Sequence, residues 1–228
     1  MRKAIAVIFL GIIGYYLLAT FFNIPFGIAR VIDGVGFKYL ALGVPDTGAA
    51  NVVTSIVVNF RGFDTLGEVT VLFLAATGMG ALLHHREPMK RSRQNASIIV
   101  KAGARILFPL IIILGAYVFV HGHLTPGGGF QGGAIIASGF LLMFMSYRTY
   151  HVNHVVISRV ESLAGSAFVI IGLFGLVYGK SFLANVLPLG TVNTLFSAGV
   201  IPLIYIAVGF KVGSELTGLL DTMLKTVK

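Results

Sequence analysis

Phe119 to Gly139 reads FVHGHLTPGGGFQGGAIIASG. Two histidines lead into a Pro-Gly-Gly-Gly turn, and apolar runs flank it on both sides, each roughly long enough to enter or span a bilayer. Glycine tolerates backbone conformations that other residues avoid, and its missing side chain lets helices approach closely. The stretch therefore predicts a sharp reversal between two membrane helices. Pro126, Gly127, Gly128 and Gly129 form the turn, Gly132 and Gly133 allow close packing, and Gln131 supplies a buried amide. A phosphate-binding loop is excluded, since no Lys-Ser or Lys-Thr follows the glycines and no βαβ pattern surrounds them.

The rest of the chain supports a lipid environment. Of 228 residues, 56% are hydrophobic and only 11% charged, against roughly 25% charged in a soluble domain. Ala4 to Phe22 lacks the pattern of a cleaved signal and is expected to stay in the membrane. With no cysteine in the chain, disulfides, thiolate zinc and iron–sulfur ligation are excluded, and no cofactor is expected. The net charge of +9 does not point to nucleic acid, because the basic residues sit at the ends of apolar runs and not along one amphipathic face.

Segments near 4–22, 65–84, 104–121, 131–147, 160–179 and 191–212 are apolar over about the length a bilayer requires. The expected fold class is thus all-α, a polytopic membrane protein with six transmembrane helices. Residues 23–51, broken by Pro25, Gly34, Gly36, Gly43, Pro45 and Gly48, are expected along the interface. With the N-terminus inside, the inner groups are Arg2 and Lys3; Arg86, Lys90, Arg91, Arg93, Lys101 and Arg105; Arg148 and Arg159; and Lys211, Lys225 and Lys228. Only Arg30, Lys38, Arg61 and Lys180 fall outside, so both termini are expected to be cytoplasmic.

The basic linker HHREPMKRSRQNAS, His84 to Ser97, divides a two-span part (1–92) from a four-span part (93–228). The sequence around the glycine turn closely resembles the signature of the MnhB subunit of the Mrp-type multisubunit sodium/proton antiporters, and residues 97–212 cover the MnhB pattern. NVVTSIVVNFRGFDTLGEVTVLFLAATGMGALL, residues 51–83, is similar to the C-terminal end of the large MnhA-type subunit of the same antiporters. Corresponding subunits occur in the membrane arms of archaeal hydrogenase and sulfane sulfur reductase complexes. The resemblance implies a non-catalytic subunit of a cation/proton translocating complex, with other membrane subunits and the lipid bilayer as partners. Its main proton channels would lie in the large antiporter subunits.

RGFDTLGE places Asp64 and Glu68 four residues apart, on one face of a helix, with Arg61 a turn earlier. Asp64, or Thr65, can simply cap that helix. Glu68 lies roughly 16 residues before His84, about 24 Å of helix, which puts it in the outer part of the hydrocarbon, where an ionisable group marks an ion pathway. His121 and His123 diverge by about 200° on a helix. With no third ligand in view, hydrogen bonding at the helix mouth or a proton relay suits them better than a metal. Glu161 and Lys180 bracket the fifth apolar segment, as interfacial anchors or as parts of a polar path.

Gly172, Gly175 and Gly179, and the Gly209–Gly213 pair, are expected to favour close contacts between helices and subunits. Pro109 and Pro202 are expected to kink their spans. Two other classes fit less well. A self-sufficient channel or secondary transporter would show inverted repeats, and an intramembrane enzyme would need a nucleophile–base pair or a metal triad.

Overall fold

The computed structural model describes residues 2–23, 34–84, 96–147 and 149–226. Arg30, Arg86, Lys90, Arg91, Arg93, Arg148 and Lys228, together with most of the basic linker and residues 24–33, lie outside the described residues. The chain divides into two compact units, Met1–Lys38 and Tyr39–Lys228. The first contains α1 (Arg2–Asn23), within which Thr20 Oγ1 donates to the Tyr16 carbonyl. α2 (Val35–Thr47) crosses the boundary between the units.

The second unit is helical throughout its described residues, loops and turns apart. After α2 come a single turn, α3 (Val52–Thr54), which continues as a π-helix over Ser55–Phe60, and then α4 (Gly62–His84), α5 (Ile98–Val120), α6 (Gly129–Ser146), α7 (His154–Tyr178) and α8 (Ile201–Thr226). Among the described residues six helices are long and apolar enough to cross a membrane: α1, α4, α5, α6, α7 and α8. The expected number of spans is therefore met.

The described residues 34–51 of the region expected to lie along the interface are mostly helical. Val35–Thr47 and Val52–Phe60 form two helical arms bent by 94° at a short break, the geometry of a broken span or a re-entrant loop. Asn51 makes the break possible. Its backbone is extended, and its side-chain oxygen accepts from the Val53 and Thr54 amides, so it caps the second arm while the first has ended. Gly48 takes a left-handed conformation just before it, with φ of 68°.

α8 is the centre of the second unit. Of its membrane-spanning window 61% is buried, against 39% for α6. It packs on α6, α7, α4 and α5, and Ile201, Ile204, Val208 and Val212 join Val58, Val69 and Phe168 in the core. Its contact with α6 is glycine-lined. A Cβ on Gly129 would lie 2.6 Å from Val208 Cβ, and one on Gly133 would lie 2.8 Å from the Gly213 amide nitrogen, so a larger residue at either place would force the helices apart. On its other side α6 meets α5, where a Cβ on Gly132 would sit 2.7 Å from the Gly115 carbonyl.

Three expectations need correction. The sixth span runs over Ile201–Thr226 and not 191–212. Residues 191–200 are apolar but loop-forming, with Asn193, Ala198 and Gly199 at positive φ, and Asn185 holds them in place by donating to the Ala198 carbonyl and accepting from the Val200 amide. Pro202 consequently falls in the first turn of α8, where a missing N–H costs nothing and no kink follows. The glycine stripe on α7 does not await a subunit. It receives the chain's own return loop, for a Cβ on Gly172 would strike the Phe182 ring and one on Gly175 would lie 2.5 Å from the Ala184 nitrogen.

Candidate functional site

The shift of α8 moves Lys211 from an inner flank to mid-span. Ten residues of helix precede it and more than ten follow, so Lys211 is no longer a topology determinant at the interface. It is 7% exposed, and its Nζ lies 2.7 Å from Glu161 Oε1 on α7 and 3.0 Å from Glu215 Oε2 one turn along α8. The ammonium also sits 4.8 Å from the centre of the Phe73 ring on α4. Three helices thus converge on one buried cation. Removing an ion pair from water is costly unless the partners are close and well bonded, and here two carboxylates and an aromatic face share that task.

The charge count does not close. Glu215 is 4% exposed, and its Oε1 has no hydrogen-bond partner among the described residues. Two carboxylates facing one ammonium carry one negative charge in excess when all three are ionised. Such a group accepts either a proton or a second cation readily.

A second charged group lies about 15 Å of helix further along α8. Asp221, 2% exposed, lies 2.7 Å from His154 Nε2 and 3.4 Å from His151 Nδ1. Between the two groups runs a cavity of about 320 Å³ whose lining includes His154, Ser158, Glu161, Glu215, Thr77 and Thr222. On the other side of the Lys211–Phe73 contact lies a larger cavity of about 660 Å³, lined mainly by apolar side chains of α4 and α7, with Glu161 and Lys211 at its edge. The helical repeat explains this arrangement. His154, Ser158, Glu161 and Gly165 recur at spacings of three and four, so they form one stripe of α7.

The residues expected to carry function are spread more widely. Glu161 is in this cluster, two turns inside α7 and not at its opening. Asp64 and Glu68 are exposed on α4. Asp64 lies 2.5 Å from Arg61 Nη2 and accepts from Arg61 Nε, while Thr65 Oγ1 donates to the Val57 carbonyl and caps nothing. Lys180 is exposed just beyond α7. His121 stacks on Tyr117, with Nδ1 3.2 Å from the Tyr117 carbonyl.

His123 is fully buried, and neither ring nitrogen has a hydrogen-bond partner among the described residues. Burial holds its pKa below the ordinary 6.5, while the carbonyls of Thr194 and Leu195, near the ring but outside hydrogen-bond geometry, oppose the shift. Among the described residues the His121 ring serves the helix mouth, at the Tyr117 carbonyl, and the His123 ring does not. Asn51 and Thr54 hold the turn beyond it. Asn51 Nδ2 donates to the Gly122 and Thr125 carbonyls, its amide donates to the His123 carbonyl, and Thr54 Oγ1 donates to the Gly122 carbonyl. Tyr205 on α8 completes the node by donating to Thr54 Oγ1.

In the turn, Gly128 adopts φ of 149°, and Gly127 lies against the Val118 carbonyl. Pro126 is exposed. Gln131 is also exposed and does not act as a buried plug; its Oε1 lies over Gly128, 2.8 Å from where a Cβ would be.

Sequence reasoning missed Asn51, Thr54, Tyr205, Glu215, Asp221, His151 and His154. A signal existed for Glu215, since Lys211 and Glu215 stand four apart. Nothing local linked either to Glu161, some fifty positions earlier.

Comparison with known proteins agrees with this architecture. Residues 99–218 match the family described as a domain related to the MnhB subunit of Na+/H+ antiporters, and residues 6–98 match the MbhE family, described as the E-type subunit of MBH. An uncharacterised protein of Methanocaldococcus jannaschii is 29% identical over 189 residues, covering 71% of this chain and 72% of that protein. A putative antiporter subunit mnhB2 of Staphylococcus aureus is 31% identical over 120 residues, 46% of this chain and 83% of that one. A probable A/B-type subunit of a K+/H+ antiporter of Rhizobium meliloti is 35% identical over 146 residues, 53% of this chain but only 15% of that longer protein.

Among solved structures, a chain of the membrane-bound sulfane sulfur reductase, an archaeal respiratory membrane complex, is 45% identical, with a TM-score of 0.77 and 98% of both chains covered. A chain of the Mrp complex from a Dietzia species is 27% identical, with a TM-score of 0.71, covering 98% of this chain and 26% of that one. The chain belongs to the family of membrane domains related to the MnhB subunit of Na+/H+ antiporters.

Proposed function

We propose that the chain is a non-catalytic integral membrane subunit of a multisubunit cation/proton translocating complex, and that it contributes an acid–base site to the ion route. The observation that carries this reading is Lys211, buried at mid-span between Glu161 and Glu215. Ionisable groups at that depth are costly and mark transport paths when they face protein or cavities. The end-to-end similarity to a sulfane sulfur reductase chain favours a respiratory assembly over a free-standing antiporter. Redox centres, and any chemical reaction, belong to partner subunits.

Glu68 and Asp64, exposed on α4, supply a second set of groups for a route shared with a neighbouring subunit. His121, His123 and Lys180 mark the opposite end of the bundle from Asp221. The glycine turn, Pro126 to Gly133, fixes how α5, α6 and α8 meet. Both termini lie on the cytoplasmic side, a reading that loses Lys211 from the inner group of basic residues without losing its majority.

The test is purification of the tagged chain in mild detergent, followed by reconstitution. Co-purification with other membrane subunits is expected, and Lys211→Met should abolish ion flux by the assembled complex. Flux unchanged by that substitution would overturn the reading.

A further inference from the structure

Cavities, buried polar groups and charged clusters all point to the α4–α7–α8 groove, and there the question is which ion it accommodates. We propose that protons, and not metal cations, pass along this groove, entering at the His154–Asp221 pair and reaching the Glu161–Lys211–Glu215 cluster through the cavity between them. The inference rests on the function proposed above and specifies the ion at the same site.

Three observations carry it. The position a metal cation would take between the two carboxylates is already filled by Lys211 Nζ, 2.7 and 3.0 Å from their oxygens. A sodium-like ion needs several more oxygen ligands converging on one point, and among the described residues no group of three or more histidine and carboxylate side chains could hold a metal. A proton needs only one acceptor, which Glu215 Oε1 provides, buried and without a hydrogen-bond partner among the described residues.

The third observation is the wall of the passage. His154 and Glu215 line the same cavity of about 320 Å³, with the hydroxyls of Ser158, Thr77 and Thr222 along it. At about 30 Å³ per molecule it has room for a relay of several waters. Imidazole is the side chain whose charge changes most readily near neutral pH. His154 is set at the mouth of the cavity by Asp221 Oδ2, 2.7 Å from its Nε2, with His151 on the far side of the same carboxylate.

The step is proton transfer alone. The His154 imidazolium gives up one proton, cavity water relays it, and Glu215 Oε1 receives it, so the positive charge lost at His154 appears as the charge neutralised at Glu215. Neutral Glu215 holds the ammonium less strongly. Lys211 then leans toward Glu161 and the larger cavity beyond Phe73, where Glu161 and Lys211 both reach the lining. The titratable side chains lining this passage are His154, Glu161 and Glu215, with Asp221 and His151 at its mouth and Lys211 between the two glutamates.

The test uses the whole purified complex in proteoliposomes. Dicyclohexylcarbodiimide, which adds to protonated carboxyl groups in apolar surroundings, should label Glu215 increasingly as pH falls, and saturating Na+ should give no protection. In parallel, His154→Ala should slow proton flux about tenfold or more, and added imidazole should restore much of it. His154→Gln, whose amide can still reach the Asp221 carboxylate, should remain slow if proton transfer matters and recover if positioning alone matters.

Protection of Glu215 by Na+ would overturn the proton assignment while leaving the Lys211 site on an ion route. Full flux in His154→Gln, or no rescue of His154→Ala by imidazole, would remove His154 as the entry. Loss of the Lys211→Met phenotype would sink the underlying function instead, so the two failures are distinguishable.

Discussion

Two sets of acids occupy this membrane domain in opposite ways. On α4, Asp64 and Glu68 point away from the chain's own core, and Asp64 meets only the neighbouring Arg61 among the described residues. On α7 and α8, Glu161 and Glu215 are gathered round a lysine from the same chain. An exposed carboxylate at membrane depth depends on what another subunit brings to it, whereas a buried one must be compensated within the fold. The difference teaches that depth alone does not identify the internal ion site. Partnership does.

Lys211→Met should separate the two sets most strongly. It leaves Glu161 and Glu215 facing each other without a cation, which typically costs about 3–5 kcal/mol. Reduced yield of the assembled complex and loss of flux are both expected. Lys211→Met with Glu161→Gln and Glu215→Gln should recover assembly but not transport, as judged by detergent gel filtration and vesicle assays. Recovery of transport in the triple variant would break the comparison.

Asn51→Ala asks whether front and rear halves are independent. It removes a helix cap and two side-chain bonds to the signature loop, a loss of about 2 kcal/mol. The thermal transition of the complex should fall, with faster proteolysis of the loop at residues 121–128.

Acidification should have a smaller effect, confined to the same end. His123 is held neutral by burial below its ordinary 6.5, so its contribution is complete above that value and is lost as pH falls through the lowered folded value, since the unfolded segment binds the proton more readily. Hydrogen exchange at 191–197 should quicken in acid, and His123→Leu should flatten that response.

Glu68→Gln should leave the folding of this chain within about 0.5 kcal/mol, as expected at an exposed position, yet lower flux by the full complex. Unaltered flux would remove Glu68 from the route.

Much of the architecture was legible because long apolar runs and basic flanks follow directly from the solvent. Five spans lie close to their expected limits. The sixth does not, and that displacement hid the site. VLPLGTVNTLFSAG is apolar enough to pass as membrane helix, but Asn193, Ala198 and Gly199 take left-handed backbone and stop it, while SELTGLLDTMLK continues the helix that its polar residues suggest has ended. Once Lys211 is centred, its pairing with Glu215 follows from helical spacing. Glu161 and His154 become visible only when α7 is laid against α8, a tertiary fact that no local pattern encodes. The same is true of Asn51, whose partners lie some seventy positions away.

The return loop that fills the α7 glycines has a consequence for assembly. Because Phe182 and Ala184 already occupy that notch, a close helix crossing at Gly172 or Gly175 is closed to any neighbour, and the flank of α7 bearing Leu163 and Val177, each 72% exposed, offers only side-chain contact at the wider spacing that bulky residues impose.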